Sequence, residues 1–401
     1  MPYAIYMLNW RLFCFGGTIR GSRAHLRVRK SLLIAVLIGA KALGLFALAR
    51  WMTRRDLRIL AYHGAALGDE NRFRPGLFMS EAQFARRMQF LADRGYRVVG
   101  LDKALDALSR GTLPDYATVI TIDDGWYGTY RVMSPILERH GFPAAFYVST
   151  YYVEKQTQVF NVAVGYVLWK AAGRGRVDLS MILPGLAGQV DLTDPLQRQA
   201  AQQSIVEHAE SFGDTGVRQD LLRRLYEALD VDWATIVEKR MFAFVSGEEL
   251  QLLAATDIDV QLHSHRHRFP IDDRQAAADE IDENRSALAK YTHGPFEHFC
   301  YPSGVFDPTQ FACLSAKGIR SATTTEVGFA RSTSHRFALP RLLDSERITP
   351  LEFEAEMSGF LELLRRMRVL DLVRRSPGRE FDDVAPLASL TATTIRTRPE
   401  S

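Results

Sequence analysis

The feature that most constrains the fold is a series of short apolar runs, each ending in polar side chains and separated from the next by a helical stretch. Residues 57–63 (LRILAYH), Ala117–Ile122 (ATVITI), 144–149 (AAFYVS), Ile258–Leu262 (IDVQL) and 297–301 (EHFCY) are the clearest. Residues 96–101 (YRVVGL), 318–324 (GIRSATT) and 337–343 (FALPRLL) read the same way. Short, near-continuous apolar runs predict strands covered on both faces. Between the first two runs, Ser80 precedes the apolar-periodic stretch 81–95, which stops at Gly95, as a capped helix should. Helices are also expected over 102–110, 135–140, 272–291 and 349–375. The alternation predicts parallel βαβ units. Residues 154–240, rich in Leu, Ala, Gln, Glu and Arg, break that rhythm and are expected to form a helical insertion. The polar stretch 376–401 is expected to be disordered.

Parallel α/β folds gather functional groups at the carboxyl ends of their strands. Tyr62-His63, Asp123-Asp124, His263 and the segment 301–304 all fall at or just after such ends, which predicts one shared rim. Adjacent carboxylates at a strand end point in different directions. One of the pair Asp123-Asp124 can therefore face a metal while the other faces an attacking water. In 263–267 (HSHRH), a helical turn would set His263 and His267 on one face, close enough to chelate an ion, with His265 pointing elsewhere. Two histidines and one carboxylate with open positions form a catalytic metal pattern. The turn Tyr301-Pro302-Ser303-Gly304 can present backbone N–H groups to an oxyanion. Each motif alone has a plainer reading, as a surface turn, a solvated basic turn or a β-turn. Their convergence on one rim carries the argument.

Together these motifs resemble the polysaccharide deacetylases of the NodB-homology type, over about residues 56–375. That family's T-F-D-D-G stretch is matched by TIDDG at 121–125, its H-[ST]-x-x-H by HSHRH at 263–267, and its third, P-Y-G-containing motif by FCYPSG at 299–304. The resemblance implies an α/β fold, a distorted (β/α)7 barrel, with the helical insertion added. It implies that Asp124, His263 and His267 bind a divalent metal, most often zinc. Asp123 would be the general base and the Ser303 backbone N–H an oxyanion donor, with Tyr62, Tyr301, Pro302 and Gly304 lining the substrate site. Two departures stand out. The arginine that orients the base in many members is replaced by Cys300, and the late Leu-x-His motif that supplies the general acid has no match, His335 lying in STSHRF. His63 is the candidate acid, with a structural histidine bonded within the barrel as its plainer reading.

The net charge of +3 hides an asymmetry: residues 1–55 hold ten Arg or Lys and no Asp or Glu, leaving the remainder at −7. The basic balance thus belongs to an N-terminal arm, and a nucleic-acid groove on the body is not indicated. Residues 31–49 are apolar apart from Lys41 and have basic flanks, and as a straight helix they would rise about 28 Å, near a bilayer's hydrocarbon thickness. Association with a bacterial-type inner membrane through 31–49 is expected, as a signal-anchor or as a helix lying on the surface, with the side of the body left open. The alternative is a helix packed on the body. Three scattered cysteines, Cys14, Cys300 and Cys313, suggest neither a thiolate metal cluster nor a disulfide scaffold. Neither a Walker A motif nor a GxGxxG after a strand is present, so no nucleotide cofactor is expected.

The expected function is metal-dependent hydrolysis of N-acetyl groups from amino sugars, in an oligo- or polysaccharide or a lipid-linked precursor. Two alternatives use the same barrel: a non-catalytic glycan-binding or assembly protein, and a hydrolase of a related non-acetyl amide.

Overall fold

The computed structural model describes residues 20–182, 188–210 and 215–367. The expected disordered tail and Cys14 lie outside them. Seven strands form a closed ring: β1 (Arg58–Tyr62), β2 (Ala117–Ile122), β3 (Ala144–Val148), β4 (Ile258–Leu262), β5 (His298–Cys300), β6 (Ser321–Val327) and β7 (Leu339–Leu343). Every pairing is parallel and each strand neighbours the next in sequence, with β7 returning to β1 (Leu60 opposite Leu342). The ring is uneven. β3 and β4 pair along five residues, β4 and β5 share the single pair Leu262–Phe299, and β6 shifts register against β7. This is the expected distorted seven-stranded barrel.

The run 96–101 corrects one expectation. Only Arg97–Val98 is a strand; it pairs with the first residues of β2 and takes no place in the ring. Gly100 then starts a helix, Leu101–Ser109, whose Leu101, Ala104 and Leu108 pack with the inward residues Ile59, Val119, Ala145 and Tyr147. This helix closes the base of the barrel. On β1 and β2 the intervening residues Leu60, Ile120 and Ile122 face outward, under helices that include α3 (Glu81–Asp93) and α4 (Arg274–Leu288). Helix starts are capped where side-chain chemistry predicts: Ser80 accepts from the Gln83 N–H, and Thr349 forms a capping box with Glu352.

The long β3–β4 connection, residues 149–257, carries the insertion. It is mostly helical, as expected, and adds a small antiparallel hairpin, Arg176–Asp178 with Gln189–Asp191. Its end docks beside the barrel mouth: the Tyr127 N–H donates to Ala243 O (2.9 Å) and the Val245 N–H to Gly125 O (2.9 Å). The helix expected over 349–375 is instead two, α5 (Pro350–Met357) and α6 (Phe360–Arg366), within the described residues. They break at Gly359, whose φ is +78° and whose α-carbon faces Thr53 so closely that a Cβ would lie 2.3 Å from Thr53 Oγ1.

The apolar N-terminal stretch is not a straight rod. α1 (Arg20–Ala42) and α2 (Leu45–Met52) meet at an angle of 78°, at Gly44 with φ +75°. Among the described residues no single helix is long and apolar enough to cross a membrane. One face of the pair packs on the body: Leu37, Ala40 and Phe46 form a cluster with Ala355 and Leu361 from α5 and α6. Lys41 is drawn to Glu354 at 2.6 Å.

Candidate metal centre and active site

The inward parity of β2 carries directly into the site. Val119 faces the barrel interior, and Asp123, four residues on, points the same way. Strict alternation would send Asp124 outward. Instead its φ of 79°, followed by 118° at Gly125, turns the chain so that both carboxylates line one cavity. Asp124 Oδ2 accepts a hydrogen bond from Trp126 Nε1 at 2.7 Å. Asp124 Oδ1 lies 3.2 Å from His263 Nε2 and 3.1 Å from His267 Nε2.

The two histidines meet by a route other than the expected one. Residues 263–267 are not a helical turn: Ser264 (φ 63°) and His267 (φ 54°) are left-handed, and this irregular loop brings the rings to a centroid distance of 4.9 Å. Their supports come from neighbouring strands and helices. The His263 N–H donates to Asn284 Oδ1 on α4 (2.9 Å), and His263 O accepts from Ser149 Oγ at the end of β3 (2.8 Å). His263 Nδ1 is 2.8 Å from Cys300 O, so Nδ1 carries a proton and Nε2 is the nitrogen that faces Asp124. His265 turns away, as expected, to Thr150 Oγ1 at 2.8 Å.

Two imidazole Nε2 atoms converge on one carboxylate oxygen, an arrangement held by a proton or a metal ion between them. The spacing suits a metal ion: donors about 2.0–2.1 Å from a tetrahedral centre lie roughly 3.3 Å apart, close to the 3.1 and 3.2 Å found here. Ligand atoms of Asp124, His263 and His267 all fall within 4.8 Å of one another. The residues therefore fit a divalent metal ion.

Asp123 is held by a group that the sequence reading missed. Arg341 on β7 donates from Nη1 to Asp123 Oδ1 (2.9 Å) and from Nη2 to Oδ2 (2.8 Å). Its other contacts are Nε to Thr324 O (2.8 Å), Nη1 to Thr121 Oγ1 (3.0 Å) and Nη2 to Cys300 Sγ (3.3 Å). All five guanidinium N–H donors are thus engaged, and the group is 1% exposed. Burial alone would raise the Asp123 pKa, but the charge and hydrogen bonds of Arg341 outweigh it and hold the carboxyl below its usual range. Asp124 behaves similarly: burial opposes ionisation, and hydrogen bonds from His263 and His267 reverse it. Cys300, on β5, lies 3.5 Å from Asp123 Oδ2, and burial pushes its thiol pKa up, so it stays neutral. The signal for Arg341 was present in the sequence, as a charged residue inside the apolar run FALPRLL.

His63 follows β1 on the same rim, with Nε2 4.0 Å from Asp123 Oδ2. Burial lowers its pKa against the pull of Asp124 and Asp123, so the ring is neutral near pH 7. Ser303, at φ 56°, and Gly304 also line the cavity. Gly304 has φ +68°, and a Cβ there would fall 2.0 Å from Thr325 Oγ1, so the turn needs glycine. Tyr301 lines the cavity, and its hydroxyl donates to Phe337 O at 3.0 Å. Tyr62 and Pro302 do not reach the cavity as expected. Tyr62 is fully buried, edge-on to Phe84, and Pro302 is buried behind the turn. His335 is also remote, stacked on Phe311. The insertion contributes Val159, Val162 and Phe244, which with Leu77, Trp126 and Leu343 give the cavity an apolar wall.

Comparison with known proteins bears on this geometry. Residues 231–322 match the family model for polysaccharide deacetylase, a stretch that includes His263, His267 and Ser303. Over that stretch the chain is similar to the polysaccharide deacetylase family. Solved structures similar to this chain include a de-N-acetylase from Aggregatibacter actinomycetemcomitans, a hydrolase of amide C–N bonds. No curated protein matches the chain. Among solved structures, a Streptococcus pyogenes deacetylase, PplD, in complex with acetate aligns over 75% of this chain and 98% of its own, at 16% identity and a TM-score of 0.50. IcaB from Ammonifex degensii aligns over 76% and 97%, at 18% identity and a TM-score of 0.47. At these identities the likeness to PplD speaks for the fold, the deacetylase barrel, which agrees with the closed ring of seven strands.

Proposed function

We propose that this chain is a metal-dependent de-N-acetylase of amino sugars in a glycan or a lipid-linked glycan precursor, with zinc as its resident ion. The observation that carries the reading is the Asp124–His263–His267 trio beside a second carboxylate, Asp123, fixed in its charged form by Arg341. Two imidazole nitrogens and one carboxylate oxygen suit zinc. Bound there, zinc polarises an amide carbonyl and lowers the pKa of a water.

The chain's own residues account for the proton movements. Asp123, charged and aimed into the cavity, takes a proton from water as its oxygen adds to the acetyl carbonyl carbon. The Ser303 backbone N–H faces the developing oxyanion. As the C–N bond breaks, the leaving nitrogen takes up a proton, and acetate and a free amine result. The proton that Asp123 took from water returns to that nitrogen through neutral His63, which accepts it and passes it on: it is the cavity-lining imidazole outside the trio and adjoins the base. The apolar wall from Leu77, Trp126, Val159, Val162 and Phe244 packs against the acyl methyl and the sugar's apolar face.

Arg341 also weakens the reading of the barrel as a binding protein without catalysis. Cys300 in the third motif suggested a base with no cation to hold it, and Arg341 supplies that cation from another strand. The test is acetate release from N-acetylglucosamine oligomers by the full chain, metal-free and with added zinc. Zinc-dependent release supports the proposal. Tight zinc binding without release of acetate, formate or another acyl group would support a binding protein instead.

A further inference from the structure

The bent N-terminal pair has two faces, and the reaction accounts for neither. Eight of the fifteen exposed large apolar side chains among the described residues fall between positions 32 and 52. Leu43 at the bend is 78% exposed; Ile38 and Trp51 are each 58% exposed, with Val36, Leu48 and Met52 beside them. Such a concentration on a polar-rimmed body marks a docking surface. The opposite face is committed to the barrel. Leu37, Ala40 and Phe46 are buried against α5 and α6, and the Thr53 hydroxyl lies against Ala49 O and Ser358 O.

We infer that α1 and α2 together form an in-plane anchor, with the outer face of the bend inserted into one leaflet of an anionic membrane. Geometry argues against a crossing. Lys30–Ala42 and Leu45–Met52 meet at 78°, and arms of these lengths rise only about 20 and 12 Å, against about 30 Å of hydrocarbon. Straightening the pair would strip its inner face from α5 and α6. The charge in the middle of the apolar stretch points the same way. Lys41, costly inside a bilayer, is turned to Glu354 on the body side, leaving the outer face uncharged around Leu43. The choice of a lipid partner rests on charge complementarity: ten Arg or Lys and no acidic residue in 1–55, on a body of opposite net charge. A basic, acid-free segment with exposed Leu and Trp suits an anionic leaflet, where each cation near the surface adds to binding. The exposed Trp51 suits the interfacial layer.

The experiment is flotation of the full chain with vesicles of phosphatidylcholine alone and of phosphatidylcholine mixed with phosphatidylglycerol. Wild type should float with the mixed vesicles, less at high salt, and be released by alkaline carbonate. The triple variant Leu43→Asp/Leu48→Asp/Trp51→Asp, altered at exposed positions, should keep its thermal melt and lose partitioning by about tenfold or more. Met181→Asp and Leu196→Asp, exposed apolar sites elsewhere, should change nothing. Resistance to carbonate would mean the pair crosses the bilayer and would overturn the inference. So would a triple variant that floats like wild type, or a wild type that stays unbound. A wild-type dimer that the triple variant dissolves would assign the face to a second copy of the chain.

Discussion

Replacing Arg341 with methionine removes one half of a buried ion pair and leaves the shape nearly filled. Asp123 and Arg341 are 2% and 1% exposed and share two hydrogen bonds of 2.9 and 2.8 Å. Removing one partner of such a pair costs about 3–5 kcal/mol, because the other charge stays buried and uncompensated. The cost should depend on pH, and its sign follows from the two states of Asp123. In the wild type its folded pKa lies below the unfolded value. The resulting stability is therefore present above about pH 3.9 and is lost only as pH falls toward the folded pKa. In Arg341→Met the main opposition to burial is gone, only the weaker pull of His63 and His263 remains, and the folded pKa should rise above the unfolded one. The folded variant then takes up a proton as pH falls, regaining up to about 1.4 kcal/mol per pH unit between the two pKa values. Urea unfolding followed by far-UV circular dichroism, with chelator present, should show the full penalty at pH 7.5 and a smaller one at pH 5.5. In Asp123→Asn/Arg341→Met most of the penalty should disappear as a coupling of about 2 kcal/mol or more. A penalty below about 1 kcal/mol, one independent of pH, or additive single effects would refute the reasoning.

Three further outcomes follow from the same geometry. Asn284→Ala removes the acceptor for the His263 N–H and the donor to Val148 O and Thr150 Oγ1; zinc affinity by titration calorimetry should fall about 10–100-fold, and unchanged affinity would remove Asn284 from ligand positioning. His63→Ala should lower kcat by about 10²-fold or more with zinc affinity preserved, whereas a loss confined to zinc binding would make His63 a structural residue of the centre. Gly304→Ala puts a methyl group 2.0 Å from Thr325 Oγ1 at a φ of +68°; it should destabilise the fold by about 1–3 kcal/mol, and a melting temperature equal to wild type would show that the turn tolerates a side chain.

The barrel was legible because a parallel ring demands buried strands in sequence order and brings their carboxyl ends to one rim. β2 and β4 were read with their observed bounds, and the segments that place Asp123, Asp124, His263 and Ser303 on the cavity were all recognisable. The misreadings have local causes. In HSHRH, i to i+4 spacing suggested a helical turn, but left-handed Ser264 and His267 do the work, and side-chain identity does not reveal that conformation. YRVVGL has strand composition, yet Gly100 ends it early and the chain turns beneath the barrel. Arg341 was hidden because pairing register decides which face of FALPRLL looks inward, and register is a long-range property. The apolar arm read as a bilayer-length helix because composition alone does not mark Gly44 as a bend.

The central claim is that Asp124, His263 and His267 hold zinc while Asp123 serves as the base. The most direct test measures zinc binding and acetate release together for wild type, Asp123→Asn and Asp124→Ala, with N-acetylglucosamine oligomers as substrate. The account predicts zinc-dependent release by the wild type, zinc binding without release in Asp123→Asn, and neither in Asp124→Ala. Release that persists in Asp123→Asn, or zinc binding undiminished in Asp124→Ala, would contradict it.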